Sequence, residues 1–216
     1  MDPTHEQWHK IFNVIMRKQH FVFFDSAYQG FGSDDYKDDT WSLKTLSKMY
    51  LRVMLAQSFS KNFGLYGERT GTLSIVTSSA EEKSVIQTRF KETCLPVYSN
   101  PPIHGARIVD LILGDEELTN EWKSEVRGMA TRLRDLRIQI VQKLKDLGST
   151  HDWSHIINQV GMFAFTGLTA DMVAHVREKH SIYMPPDGRI SVAGVNSGNI
   201  DHICAAFHEA SHGKQI

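Results

Sequence analysis

Ser58-Phe59-Ser60-Lys61-Asn62-Phe63-Gly64-Leu65-Tyr66-Gly67-Glu68-Arg69 sets one lysine among small polar residues and phenylalanines. The apolar run Val53-Met54-Leu55-Ala56 precedes it, so the segment reads as a strand that delivers Lys61 to a loop. A lysine held against Phe59 and Phe63 is partly desolvated, and desolvation favours the neutral amine, the nucleophilic form. Ser58, Ser60 and Arg69 offer donors for an anion beside it. An amine next to an anion site suits a Schiff base to a phosphorylated aldehyde. An ordinary solvated lysine in a surface loop fits the same residues, because short motifs match by chance.

Upstream stands Phe21-Val22-Phe23-Phe24-Asp25-Ser26-Ala27-Tyr28-Gln29-Gly30. Phe21 to Phe24, with Ala27, read as a buried parallel strand that ends at Asp25. A carboxylate at the end of such a strand needs a partner. A protonated pyridine nitrogen is one, and pyridoxal phosphate enzymes use that pairing. Tyr28 follows three residues on, placed for the phenolic oxygen of the same ring.

With Tyr98-Ser99-Asn100-Pro101-Pro102 and Gly188-Arg189-Ile190-Ser191-Val192-Ala193-Gly194, these segments resemble the aspartate aminotransferases of the class I pyridoxal phosphate-dependent family, in the flavour of the eukaryotic mitochondrial form. The resemblance covers nearly the whole chain, and the spacings from Asp25 to Lys61 and from Lys61 to Arg69 match the family pattern. It implies an α/β fold: part of a fold-type I large domain over residues 1–127, then a small α+β domain over 128–216. A long helix over about 116–147 bridges them. It implies pyridoxal 5'-phosphate as cofactor, amino acid and 2-oxo acid substrates, and a homodimer. Lys61 is the expected Schiff-base lysine and proton carrier. Asp25 is expected on the ring nitrogen, Tyr28 on the phenolic oxygen, and Ser58 and Arg69 on the phosphate. Arg189 is expected to bind the substrate α-carboxylate, with Phe163 lining the pocket. By themselves, Arg189 reads as a hairpin arginine and Phe163 as a core residue. One position departs from the pattern. Four residues before Ser99 the family carries an arginine for the distal carboxylate, and here Leu95 stands there, which puts dicarboxylate selectivity in doubt.

The family's Asn-Pro-Thr-Gly motif lies before the first helix, and this chain starts after it. The expectation is that about half of the family's length is missing at the N-terminal side, that turnover by the chain alone is impaired, and that Phe21 to Phe24 lose neighbours and expose an edge or face.

Bulk properties fit an ordinary globular chain of 216 residues, with 41% hydrophobic and 23% charged residues. A net charge of −1 suggests neither nucleic acid nor an anionic membrane as partner. No apolar run approaches the roughly 18 residues of a membrane span. Asp2 and Glu6 at the start do not read as an Arg-rich presequence. The expected setting is intracellular, and the resemblance implies mitochondrial or cytoplasmic. Cys94 and Cys204 sit in unlike contexts and read as reduced thiols.

In chain order, Thr4 and Gln7 form a capping box for a helix whose apolar face is Trp8, Ile11, Phe12 and Ile15. Residues 31–40 read as an acidic loop that lacks calcium-loop spacing. A helix over 41–50, strands over 52–58 and 70–77 and a helix over 80–92 follow. The long helix presents Leu118, Trp122, Met129, Leu133, Leu136, Ile140, Leu144 and Leu147. Then come a strand over 160–165, a helix capped by Thr169, strands over 182–184 and 190–195 joined by Pro185-Pro186-Asp187-Gly188, and a last helix capped by Asn199.

Two other readings compete. His208-Glu209-Ala210-Ser211-His212 fits H-E-x-x-H, the zinc-hydrolase helix motif, but no third ligand follows it. A half-length, non-catalytic relative acting as a binding module is the other.

Overall fold

A computed structural model describes residues 3–32, 36–50 and 52–212. Thr4 starts α1 (His5–Lys18) with the expected capping box: its hydroxyl accepts from Gln7 N and the Gln7 side chain accepts from Thr4 N. β1 (Val22–Ser26), the short α2 (Tyr36–Asp39), α3 (Trp41–Met49), β2 (Val53–Ser58) and β3 (Gly71–Ile75) follow. Then come α4 (Ala80–Tyr98), α5 (His104–Gly114), α6 (Glu116–Asp146), α7 (Ser154–Ile157), β4 (Phe163–Phe165), α8 (Ala170–His180), β5 (Arg189–Ser191), a 3-10 turn over Val192–Gly194, and α9 (Ile200–Ser211). The chain forms two compact units. One holds residues 3–30 and 36–126, the other 31–32 and 127–212, with the division inside α6.

In the first unit β2 is central, parallel to β1 and antiparallel to β3. Phe12 of α1, Leu46 of α3 and Val53 of β2 are its buried centre, with Trp8, Ile15, Val22, Phe24 and Trp41 packed around them. Side chains alternate across a strand, so Phe23 and Asp25 take the face opposite Val22 and Phe24. The expectation of a strand buried throughout is corrected here. Phe21 and Phe23 are each 58% exposed, and Asp25 is exposed as well. Ile11 is exposed too, so the buried stripe of α1 is narrower than its pattern.

Other elements differ from the sequence reading. Asp38 and Asp39 belong to α2, where Asp39 Oδ2 accepts from Gly30 N at 2.7 Å. Asp34 and Asp35 lie outside the described residues. α4 runs past residue 92 to Tyr98, taking in Pro96 near its end and Leu95 as an exposed residue. α5 has no counterpart in the sequence reading.

In the second unit Leu133, Leu136, Ile140 and Leu144 of α6 pack with Val173 and Val176 of α8 and with Cys204 and Phe207 of α9. Within α6, Val126 and Ala130 are buried while Leu118 and Met129 are exposed; Leu147, just beyond the helix, is exposed too. β4 pairs antiparallel with β5, placing Phe163 opposite Ser191 and Phe165 opposite Arg189. Residues 182–184 form no strand, so the expected hairpin across Pro185-Pro186-Asp187-Gly188 is not made. Thr169 caps α8 through its hydroxyl and Met172 N, as its position predicts. Asn199 precedes α9 without capping it. Its side chain instead accepts from Asn196 N and donates to Gly194 O.

No helix among the described residues is long and apolar enough to cross a membrane. Cys204 is buried against α6, and burial pushes its thiol from 9.0 up to about 11. A thiol that the fold keeps protonated stabilises the folded state below its unfolded value and loses that contribution as pH rises. Folded stability therefore falls between pH 9.0 and about 11, and titration with a thiol reagent near neutral pH labels Cys94 in the native protein and Cys204 only after unfolding. Rapid labelling of Cys204 in the folded chain would contradict this packing.

Candidate active site

Parallel pairing brings the carboxyl ends of β1 and β2 side by side, with Asp25 opposite Ala56 and Ser26 opposite Gln57. The loops that leave these two ends carry Tyr28 and Lys61. Gln29, buried, ties them together. Its Nε2 donates to Ser58 O at 3.1 Å, its Oε1 accepts from Ser26 Oγ, and its own carbonyl accepts from Asn62 Nδ2. Ser58 Oγ accepts from Ser60 N at 3.2 Å, and Gly64 N donates to Lys61 O, closing a tight turn around the lysine. Gly64 holds φ +67°, a conformation that favours glycine.

Lys61 is half-buried, and its Nζ lies 5.4 Å from the Tyr28 ring centre and 5.1 Å from that of Tyr66. Both distances suit attraction between an ammonium and a ring face. Phe59 and Phe63 were expected to flank the lysine, and they do otherwise. They pack on each other at 5.4 Å, and Phe63 stacks on Trp122 at 4.6 Å. Trp122 Nε1 in turn donates to Asn62 O at 2.8 Å, which ties the residue after the lysine to α6. Arg69 sits exposed in left-handed backbone at φ 53° and donates to Tyr66 O at 3.1 Å. Ser60 is buried rather than open to an anion.

The structure thus joins Tyr28 to Lys61 and ties Ser58 and Arg69 to the same loop. Tyr66, Gln29, Asn62 and Trp122 were not picked out as site residues. Gln29 and Asn62 carry a readable signal, since each is an amide flanking a named site residue.

The second unit carries the other pair. Arg189 begins β5, and its guanidinium carbon lies 5.4 Å over the Phe163 ring. They line a cavity of about 370 Å³ with Tyr183, Met184, Ser191 and Val195. The turn before Arg189 is fixed from two sides. Buried Thr166 donates from Oγ1 to Gly188 O at 2.8 Å, and Gly188 holds φ +79°. A β-carbon at residue 188 would meet Leu168 O at 2.7 Å.

Behind Phe163 lies Arg137 of α6, buried, donating to the carbonyls of Gly161, Phe163 and Leu133 at 2.6, 3.0 and 3.3 Å. Burial alone draws its pKa below the ordinary value, yet a guanidinium remains charged in any ordinary solvent. It was not foreseen from sequence, where it reads as one more polar residue between Leu136 and Ile140.

The donor set is an amine, a phenol, a carboxylate, a hydroxyl and a guanidinium in one unit, and a guanidinium over an aromatic ring in the other. Comparison with known proteins bears on it directly. Residues 1–207 match the family model described as Aminotransferase class I and II.

The chain belongs to that aminotransferase family.

It is 48% identical over 207 residues to the mitochondrial aspartate aminotransferase of Dictyostelium discoideum, an alignment covering 96% of this chain and 49% of the relative. Among solved structures it is similar to a mitochondrial aspartate aminotransferase from Trypanosoma brucei, with a TM-score of 0.95 and 44% identity over 97% of this chain and 55% of that one. It is also similar to an aromatic-amino-acid aminotransferase from Burkholderia pseudomallei covalently bound to pyridoxal phosphate, with a TM-score of 0.94, 38% identity, and coverage of 97% and 52%. The chain spans about half the length of the relatives it matches, and its α/β fold is a partial fold-type I architecture.

Arg137 offers a direct test of how this aminotransferase chain holds Phe163. Arg137→Ala leaves three carbonyls without their charged donor; a hydrogen bond to a charged group contributes about 1.5–3 kcal/mol net, and bonds made by one guanidinium do not add. A loss of about 3 kcal/mol in the urea unfolding of the 127–212 unit is expected, with Arg137→Lys intermediate. An unchanged midpoint for Arg137→Ala would show that these carbonyls find water instead.

Proposed function

We propose that this chain carries the lysine-bearing part of an aspartate aminotransferase-type enzyme. The reaction is transamination of L-aspartate and 2-oxoglutarate to oxaloacetate and L-glutamate with pyridoxal 5'-phosphate. The observation that carries the reading is the Lys61 amine, half-buried over Tyr28 and Tyr66 at the joined carboxyl ends of β1 and β2. The donor set fits the cofactor group by group. An amine meets an aldehyde, Asp25 a ring nitrogen, Tyr28 a phenolic oxygen, and Ser58 with Arg69 a phosphate. When bound, the cofactor supplies an electron sink for charge developing at the substrate's α-carbon.

The chain's own residues do the rest. Lys61 would be the residue that holds the cofactor's aldehyde, and its amine is the group placed to take up a proton from the substrate's α-carbon. The rings of Tyr28 and Tyr66 restrict where the Nζ atom can swing. Asp25 would pair with the ring nitrogen, where its carboxylate would favour a bound proton. Arg189 grips a carboxylate through its planar fork, with Phe163 under the guanidinium to fix its plane. Leu95, exposed on α4, occupies the position where the family carries a distal-carboxylate arginine. The preference for aspartate therefore rests on the relatives' names and not on that residue.

Three finer parts belong to the same proposal. A homodimer is proposed on the family resemblance, and a mitochondrial setting on the relatives' names. Weak turnover by the 216 residues alone is supported by the exposure of Asp25, Tyr28 and Arg69, since poorly enclosed groups hold a ring loosely.

Incubation with pyridoxal phosphate, reduction with borohydride and peptide mass mapping tests the assignment. Label is expected on Lys61, falling at least about tenfold in Tyr28→Ala with Tyr66→Ala, which releases the amine from both rings. Label spread evenly over the lysines would sink the reading.

A further inference from the structure

The three nitrogen and oxygen donors of His175, His180 and Glu209 stand apart from all of this chemistry. His175 lies on α8, His180 ends it, and Glu209 lies on α9, so the group joins two packed helices of one unit. His175 Nε2 is 3.1 Å from Glu209 Oε1, and His180 Nε2 is 3.1 Å from Glu209 Oε2. One ligand atom from each residue falls within 4.8 Å of the other two, the sole such group of three among the described residues. His180 Nε2 is out of solvent, and despite its 3.1 Å approach to the carboxylate it lacks hydrogen-bond geometry. The His180 carbonyl is held by His202 Nε2 at 2.8 Å, which fixes the backbone that presents the ring.

We infer that His175, His180 and Glu209 form a zinc-type divalent metal site that pins α8 to α9. Two imidazoles and one carboxylate, with a fourth position left for water, are a donor set zinc accepts. With ligands at about 2.0–2.1 Å in a tetrahedron, neighbouring ligand atoms stand about 3.3 Å apart. The two histidine–carboxylate approaches, at 3.1 Å each, are close to that spacing but run to different oxygens of Glu209, so the His175 and His180 rings turn toward a shared position to complete the site. The group also reassigns the H-E-x-x-H motif. His208 and His212 meet ring to ring at 5.6 Å, while the carboxylate of Glu209 turns to α8. The motif's glutamate is a ligand here, held by histidines that lie outside the motif.

The test uses the whole 216-residue chain, stripped with a chelator and titrated with Zn²⁺ in a non-coordinating buffer by calorimetry. One zinc per chain is expected, together with a rise in melting temperature. His175→Ala and Glu209→Gln each weaken binding at least about tenfold and abolish the rise, while His212→Gln and Lys61→Ala change neither. Because a variant can unfold, the wild-type chain is also treated with diethyl pyrocarbonate. Zinc protects His175 and His180 from modification but leaves exposed His20 reactive. Binding lost with His212→Gln and kept in Glu209→Gln, zinc without protection of His175 and His180, or no binding at all would overturn the site and leave the pair of histidine–glutamate ion contacts as its whole content. None of these readouts depends on transamination, so this inference and the proposed function fail separately.

Discussion

The parallel backbone ladder between Val22–Ser26 and Val53–Ser58 is the constraint on which the lysine site depends. Parallel strands end at the same edge of a sheet, so whatever follows each strand emerges beside whatever follows the other. That is why Tyr28 and Lys61, far apart in sequence, meet at ring-contact distance. It also explains the weight carried by Gln29. A buried amide must satisfy both its donor and its acceptor, and here it does so by bonding across the two loops rather than within one. The loop geometry is therefore inherited from main-chain pairing and then locked by polar side chains.

The other unit reaches the same end by a costlier route. Arg137 is drawn out of water and donates to three carbonyls, one on its own helix and two on the segment leading into and starting β4. A buried charge of this kind adds little net stability compared with a well-packed apolar side chain. What it adds is position: a planar fork that requires two carbonyls at set directions holds Phe163 more tightly in place than a greasy contact would.

Much of this was legible in the residues. The capping box at Thr4, the strand into Lys61, the Thr169 cap and the span of α6 follow from local chemistry acting over a few positions. So does the grouping of Tyr28 with Lys61, once the two strands are read as parallel. The failures have physical causes. Phe21 and Phe23 are as apolar as Phe24, and only the position of a sheet face relative to packed helices tells exposed from buried. α5 begins at His104 without a side-chain cap, which removes its start signal. Residues 182–184 look like a strand, but β4 takes β5 as its partner, and partner choice is a long-range decision. Arg137 and the α8–α9 group are likewise tertiary facts: nothing near them in sequence announces the carbonyls, or the carboxylate, that they meet.

The proposed role of Arg189 gives the glycine before it a bearing on how substrate range would change. At residue 188 a β-carbon would meet the carbonyl of Leu168 at 2.7 Å and the Thr166 hydroxyl at 3.2 Å, so the backbone there leaves no room for a side chain. The main-chain position from which Arg189 starts is therefore set by backbone space, while its side-chain rotamer carries the guanidinium over Phe163. Replacing any pocket-lining side chain alters what the pocket contacts. Altering the turn would instead redirect the guanidinium as a whole, so a lineage exploring new carboxylate geometries has reason to hold 188 fixed and diversify around it.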